Sequence, residues 1–192
     1  MYVAPAIVRF LQRHARMRCS VLLHDRPVNL LEEGVDVGIR ISALEDSSLV
    51  AQQLGSIRRV VVASPDWLRA NGRPAHPRDL ARANCVCVVP NSSGQWMFRE
   101  NGRPLPVAVK GNIEFNHIAP AIETCAAGLG CGLFLSYQVL PLVAQGRLEI
   151  LLEGFEAPPR PVSVIYPHAR LLPARTRAFI DWMKAEFDGL AL

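Results

Sequence analysis

Short apolar runs alternate with amphipathic segments along most of this chain. Apolar runs typical of buried strands occupy 19–23, 35–41, 58–63, 85–89, 131–135, 147–152 and 162–166. Apolar positions at helical spacing predict helices at 4–16, 64–72, 116–127, 136–146 and 173–187. Because strands that alternate with helices usually pair in parallel, the pattern predicts an α/β fold with mainly parallel sheets.

Cap and turn residues set the borders of these elements. Three helices are expected to begin at polar N-cap side chains: Ser64, Asn116 and Ser136. The first of them has a proline in its first turn and ends at Gly72. Asn101-Gly102 lies within the segment 95–115 and predicts a tight hairpin turn.

Two of the apolar runs are candidates for passages between two lobes. If the chain leaves one lobe at 58–63 and returns at 162–166, the outer lobe comprises 1–58 plus 164–192. Residues 59–163 then form an inserted lobe. Ligands of open α/β sheets lie beyond the carboxyl ends of strands, so a cleft between such lobes is the expected ligand site.

Composition narrows the class of protein. The 192 residues are half hydrophobic and one-fifth charged, as in an ordinary globular protein. No run approaches the ~20 apolar residues of a membrane span, and the start does not resemble a secretory signal. We therefore expect a cytoplasmic protein without membrane association. The net charge is only +4, and the cations of 9–16 have the helical spacing of a solvated face.

No local motif indicates catalysis. The five cysteines lack the spacing of a metal site, and the four at 85, 87, 125 and 131 are interpreted as buried structural residues. The glycine-rich segment 128–132 follows a helix and precedes a strand, the reverse of a dinucleotide fingerprint. Ser136 lacks the flanking glycines of a nucleophile elbow. We expect no catalytic residue, no metal and no cofactor, and the chain is not predicted to be an enzyme.

Ligand binding is the remaining chemistry. Polar residues at predicted strand ends and helix starts are the candidates: Arg26, Arg40, Ser42, Ser64, Asn116 and His117. A helix N-terminus stabilises an anion by only about 0.3–1 kcal/mol when exposed, so an arginine fork is also needed. The expected ligand is a small anionic or polar metabolite held by Arg40 or Arg26 with Ser64 and Asn116. The structural alternatives to ligand binding are helix capping for Ser64, Asn116 and His117, and ion pairing for the two arginines.

The motifs "DVGIRI", "DSSLVAQQLG", "RRVVVASPDWLRANGRP", "AAGLGCGLFL", "LVAQGRL" and "YPHARLLPARTRAFIDWM" together resemble the effector-binding domain of LysR-type transcriptional regulators. The resemblance runs nearly end to end. It implies two Rossmann-like lobes of the type 2 periplasmic-binding-protein kind, joined by two crossover strands, with a small-molecule effector between them. It also implies a homodimer or higher oligomer, in which the helix at 4–16 packs against the inserted lobe of its neighbour.

Members of that family also carry an N-terminal winged helix-turn-helix and a long linker helix, which the 192 residues lack. The first strand of the outer lobe is also missing or reduced to residues 1–3. An internal or misassigned start, a fragment, and completion of the sheet by another chain all stay open. We expect this polypeptide alone to lack sequence-specific DNA binding. The alternative function is a stand-alone solute-binding protein of the same bilobal fold. An enzyme on this fold is a third, weaker hypothesis.

Overall fold

A computed structural model describes residues 2–24, 29–42, 49–89, 94–168 and 172–188. The chain divides into two compact units. Unit 1 comprises Met1–Ile57 and Arg160–Leu192, and unit 2 comprises Arg58–Pro159. The chain therefore passes between the units twice, at 57/58 and 159/160, whereas the sequence pattern predicts these boundaries at 58/59 and 163/164.

The helices and strands follow each other in a mixed order. They are α1 (Val3–Arg13), β1 (Gly38–Ile41), β2 (Leu49–Ile57), β3 (Arg59–Ala63), α2 (Pro65–Asn71), β4 (Cys85–Val88), β5 (Gln95–Glu100), β6 (Arg103–Ala108), β7 (Glu114–Phe115), α3 (Ile118–Ala126), β8 (Cys131–Leu135), α4 (Ser136–Ala144), β9 (Glu149–Leu151), β10 (Arg160–Pro167) and α5 (Ala174–Phe187). Short 3₁₀ helices lie at Pro77–Ala81 and Glu153–Phe155. The predicted α/β class is confirmed.

Unit 1 is built on a three-stranded sheet of order β1-β10-β2, in which both pairings are antiparallel. Val164 and Tyr166 of β10 form a cluster with Ile180 of α5, which covers one face of the sheet. Helix α1 packs on α5: Phe10 is fully buried, and its ring centroid lies 5.2 Å from that of Phe179. The apolar stripe that the sequence predicts for the last helix is thus the face that α5 buries.

Unit 2 contains a five-stranded sheet of order β7-β4-β8-β3-β9. Strand β4 runs parallel to β7 and β8, whereas β3 runs antiparallel to both β8 and β9. The alternation along β3 gives the sheet two buried faces. Val60 and Val62 contribute to a core that includes residues of α3 and α4, while Val61 and Ala63 contribute to a core that includes Trp67.

Two expectations about strands need correction. Five of the seven described pairings are antiparallel, so the expectation of mainly parallel sheets holds only for β7, β4 and β8. The predicted strand at 19–23 is irregular, and Leu23 is 85% exposed. A β-forming run becomes a strand only where a neighbouring strand pairs with it, and apolar composition does not show whether that neighbour exists.

Other local predictions are confirmed. The hairpin of β5 and β6 turns at Asn101 and Gly102, whose φ angles of 48° and 79° are the positive values that such a turn requires. The four cysteines expected in the core are buried, while Cys19 is exposed. In the described part of the chain, every helix is too short or too polar to traverse a bilayer.

Candidate functional site

Strand direction decides which strand ends lie together in unit 2. Since β7, β4, β8 and β9 all run opposite to β3, their carboxyl ends lie at the same edge as the amino end of β3. We call this the carboxyl edge of unit 2. The residues of interest there are Arg58, Asn116, His117 and Ser136.

Ser64 follows the carboxyl end of β3 and therefore lies at the opposite edge of the sheet. A Cβ placed on Gly128, which precedes β8, would lie 3.4 Å from Ser64 Oγ. The Ser64 hydroxyl accepts a hydrogen bond of 3.2 Å from the backbone N–H of Trp67, which is the predicted N-cap interaction. The structure thus does not bring Ser64 together with Asn116, although both follow strands in the sequence.

Asn116 and His117 are exposed at the start of α3. The sequence pattern assigns the N-cap to Asn116, but the structure assigns it to His117, whose Nδ1 accepts a 3.3 Å hydrogen bond from Ala119 N–H. Strand β7 ends at Phe115, directly before Asn116, and α3 begins at Ile118, one residue later than an Asn116 cap would require. The Asn116 side chain is left at the surface of the carboxyl edge.

Ser136 is a second residue at this edge to which the sequence pattern wrongly assigned a cap. It is the first residue of α4, because Leu135 is the N-cap, so its hydroxyl is not placed to cap the helix. The side chain of Gln138 instead accepts the N–H of Leu135 at 3.0 Å. Ser136 is only 3% exposed, and its Oγ has no hydrogen-bond partner in the described structure. A serine directly after a buried strand at a helix start was the available signal.

Arg58 supplies a cation at the same edge, but glutamates already hold it. Its Nε and Nη2 donate to the two carboxylate oxygens of Glu156 at 2.7 and 2.6 Å, and Nη2 also donates to Glu153 at 3.0 Å. These hydrogen bonds, those to Glu156 first, raise the pKa of Arg58 above its ordinary value. The guanidinium charge is therefore compensated within unit 2. Around this ion pair, the carboxyl edge carries the exposed side chains of Asn116 and His117 and the buried hydroxyl of Ser136.

Unit 1 holds two further sequence-predicted residues. Arg40 Nε donates a 3.0 Å hydrogen bond to Ser42 Oγ, and both side chains are half-buried. They lie at the carboxyl end of β1, where Ile41 pairs with Val162, two residues after β10 begins at Arg160. The structure brings these two together as a preformed donor group. Arg26 lies outside the described residues.

Comparison with known proteins identifies the family. The model of the LysR substrate binding domain matches residues 1–188. The chain belongs to this family. It is thus the effector-binding domain of a LysR-type regulator, the fold of which is periplasmic-binding-protein-like, and the resemblance noted from the sequence motifs is confirmed.

Relatives of the LysR domain agree with this assignment. The chain is 31% identical over 188 residues to an HTH-type transcriptional repressor of Pseudomonas aeruginosa, covering 96% of this chain and 59% of that protein. It is 26% identical over 185 residues to the uncharacterized regulator YcaN of Escherichia coli, covering 96% and 61%. The chain therefore spans about three-fifths of the length of these curated relatives.

Solved structures give the same result. The regulatory domain of CrgA from Neisseria meningitidis is similar with a TM-score of 0.84 and 26% identity over 96% of this chain and 91% of that one. The regulatory domain of AphB from Vibrio vulnificus has a TM-score of 0.79 and 26% identity, covering 95% and 90%. The curated relatives carry the names of HTH-type transcriptional regulators. Regulators of this family bind small-molecule effectors and act as oligomers.

Proposed function

We propose that this LysR domain binds a small polar or singly anionic effector at the carboxyl edge of unit 2, with Ser136, Asn116 and His117 as contacts. We propose the same role for Arg40 and Ser42 in unit 1, beside the point where β10 begins. Arg26 stays a proposed contact from the sequence alone. Ser64 is proposed only as a cap, because strand direction separates it from the other residues of its unit.

The observation that supports this placement is the buried, unpaired hydroxyl of Ser136. A buried polar group without a partner costs about 1–3 kcal/mol, so native proteins usually satisfy it. A ligand group, directly or through a water molecule, would recover that free energy when bound. The hydroxyl also lies in the first turn of α4, where backbone N–H groups favour a negative partner.

The class of ligand follows from the charges at the edge. Because Glu156 and Glu153 already neutralise Arg58, a strongly anionic ligand would have to displace a carboxylate or remain unpaired. In unit 1, the Arg40–Ser42 pair has the half-buried guanidinium that a carboxylate requires. A molecule with one carboxylate or with neutral polar groups therefore fits better than a polyanion.

A thermal-shift screen of small monocarboxylates and neutral polar metabolites tests the proposal, followed by calorimetry of each hit against variants. We expect Ser136→Ala and Arg40→Gln each to weaken a hit about tenfold or more. Ser64→Ala is the matched control, because it removes a buried serine hydroxyl at the other edge. If Ser136→Ala and Arg40→Gln bind every hit as tightly as wild type, the proposed site is wrong.

We further propose that the domain binds its effector without converting it, as expected for relatives that are regulators. Mass spectrometry of a hit after prolonged incubation should recover it unchanged, and turnover would contradict this.

For the whole protein we propose a cytoplasmic location, a homodimer or higher oligomer, and DNA binding through a winged helix-turn-helix outside these residues. Val8 on α1 is 54% exposed, so Val8→Asp should shift the oligomer toward monomer in light scattering if α1 contacts a neighbour.

A further inference from the structure

Unit 1 contains a cavity that the proposed effector site does not use. Its volume is about 380 Å³, and it lies between the sheet and helix α5. Val50, Gln52 and Tyr166 of the sheet form its floor, and Arg177, Ile180 and Asp181 of α5 form one wall. Small-molecule sites in proteins usually have about 300–1,000 Å³, so the cavity has the size of a site for a small metabolite.

The cavity lies at the end of unit 1 that is remote from the passages to unit 2. Tyr166 pairs with Val50, six residues along β10 from the pair that Arg160 makes with Ile57. At about 3.3 Å per residue, this is a separation of roughly 20 Å along the strand. Arg40 pairs with Ser163, three residues or roughly 10 Å along β10 from Tyr166. Because side chains alternate between the two faces of a sheet, Arg40 lies on the face opposite to Tyr166 and α5. A ligand in the cavity is therefore a second ligand, distinct from one that Arg40 holds.

Polar groups converge on this cavity with unused bonding capacity. Gln52 Nε2 donates a 2.7 Å hydrogen bond to Tyr166 Oη, so the tyrosine still has its own hydrogen to donate. Among the described residues, neither Arg177 nor Asp181 has an ion-pair partner. Both are exposed, one turn apart on the helix wall, with the buried Ile180 between them.

The order of the two charges on α5 helps to explain why they stay apart. A helical pair four residues apart is more favourable with the acidic residue first, whereas here Arg177 precedes Asp181. Their Cβ atoms are expected to be about 5–6 Å apart. One cation and one anion thus border the same mixed polar and apolar floor at a spacing that a single small molecule can bridge.

From this arrangement we infer that the cavity binds a zwitterion, an α-amino acid with an apolar side chain. The carboxylate contacts Arg177 and the ammonium contacts Asp181, while the side chain packs on Val50 and Ile180. A simple anion would be attracted by Arg177 but repelled by Asp181. A simple cation would be attracted by Asp181 but repelled by Arg177. Only a ligand that carries both charges is attracted by both residues.

Calorimetry with three probes tests the charge requirement. L-Phenylalanine carries both charges, 3-phenylpropionate lacks the ammonium, and phenethylamine lacks the carboxylate. We expect L-phenylalanine to bind at millimolar concentration or below, and each of the other two to bind at least about tenfold more weakly. Equal binding of all three, or no binding of L-phenylalanine and L-leucine at millimolar concentration, would overturn the inference.

Variants locate the binding. Arg177→Gln and Asp181→Asn should each weaken L-phenylalanine about tenfold or more, whereas Arg175→Gln on the same helix, which does not line the cavity, should leave it unchanged. Ser136→Ala separates this inference from the proposed effector site. If Ser136→Ala weakens L-phenylalanine and Arg177→Gln does not, the amino acid occupies the carboxyl edge and the second site does not exist.

Discussion

Two buried serines of unit 2 provide a direct test of the hydroxyl that we assign to ligand binding. Ser64 and Ser136 are both 3% exposed, and each lies at a junction between a strand and a helix. Their hydroxyls differ in hydrogen bonding: Ser64 Oγ accepts a hydrogen bond from Trp67 N–H, and Ser136 Oγ has no partner in the described structure. Replacement by alanine removes a buried Oγ atom in both cases, so the two variants compare a bonded hydroxyl with an unbonded one.

The expected changes in the free energy of unfolding have opposite signs for the two variants. Loss of a serine N-cap costs about 0.5–2 kcal/mol, so Ser64→Ala should lower the free energy of unfolding by about 1 kcal/mol. Removal of an unsatisfied buried hydroxyl relieves part of a penalty of about 1–3 kcal/mol, so Ser136→Ala should raise it by up to about 1 kcal/mol. For a chain of this length, 1 kcal/mol corresponds to about 2–4 °C in Tm.

Urea unfolding followed by tryptophan fluorescence, without added ligand, measures both variants. We predict that Ser136→Ala is at least as stable as wild type and about 1–2 kcal/mol more stable than Ser64→Ala. If Ser136→Ala loses as much stability as Ser64→Ala, the Ser136 hydroxyl makes a stabilising bond within the domain. Its bonding capacity would then not be reserved for a ligand, and the main support for the carboxyl edge would be lost.

Three further predictions concern core packing, the reactivity of the cysteines and the pH dependence of stability. Gly132→Ala should destabilise the domain by about 1–3 kcal/mol in urea unfolding, because a Cβ there would lie 2.2 Å from the Phe134 ring. Gly154→Ala is the control: its Cβ would have no other atom within 4 Å, so its free energy of unfolding should stay within about 0.5 kcal/mol of wild type. A thiol reagent at neutral pH should modify the exposed Cys19 quickly and the four buried cysteines only after unfolding. The reason is that burial raises the pKa of Cys131 to about 12 and also raises the pKa values of Cys85, Cys125 and Cys87. Rapid reaction of more than one thiol in the folded domain would contradict this prediction. The hydrogen bond from Arg9 lowers the pKa of Glu186 below 4.5, so the pair stabilises the fold above that value and the contribution disappears as the pH falls through the lowered pKa. Arg9→Gln should thus differ from wild type in urea unfolding at pH 7 and coincide with it in strongly acidic buffer, and a constant difference at both would exclude the ion pair as its cause.

Much of the fold could be predicted because its local signals are strong. The Ser64 cap, the Asn101-Gly102 turn and the apolar stripe of α5 each depend on residues close together in the sequence. Uninterrupted β-branched residues predict buried strands such as β3. The family motifs are also local runs in a fixed order, which is why the LysR resemblance could be read from the sequence before the fold was known.

The candidate site was harder to predict because strand direction is not a local property. The position of Ser64 after β3 and that of Asn116 after β7 look equivalent in the sequence. They lie at opposite edges because β3 runs antiparallel to β8, a pairing between residues about seventy positions apart. The sequence pattern also assigned the cap of α3 to Asn116, whereas the next residue, His117, accepts the N–H of Ala119.

By itself, the sequence determined the α/β class, the family, and the elements that neighbouring residues specify, because these follow from backbone propensity and periodic burial. Tertiary structure alone decided which strand ends meet, which of two buried serines keeps a free hydroxyl, and that Arg58 is already neutralised by Glu156. Each of these depends on contacts between distant parts of the chain. No residue's immediate neighbours in the sequence encode such contacts, so they emerge only when the sheet is assembled.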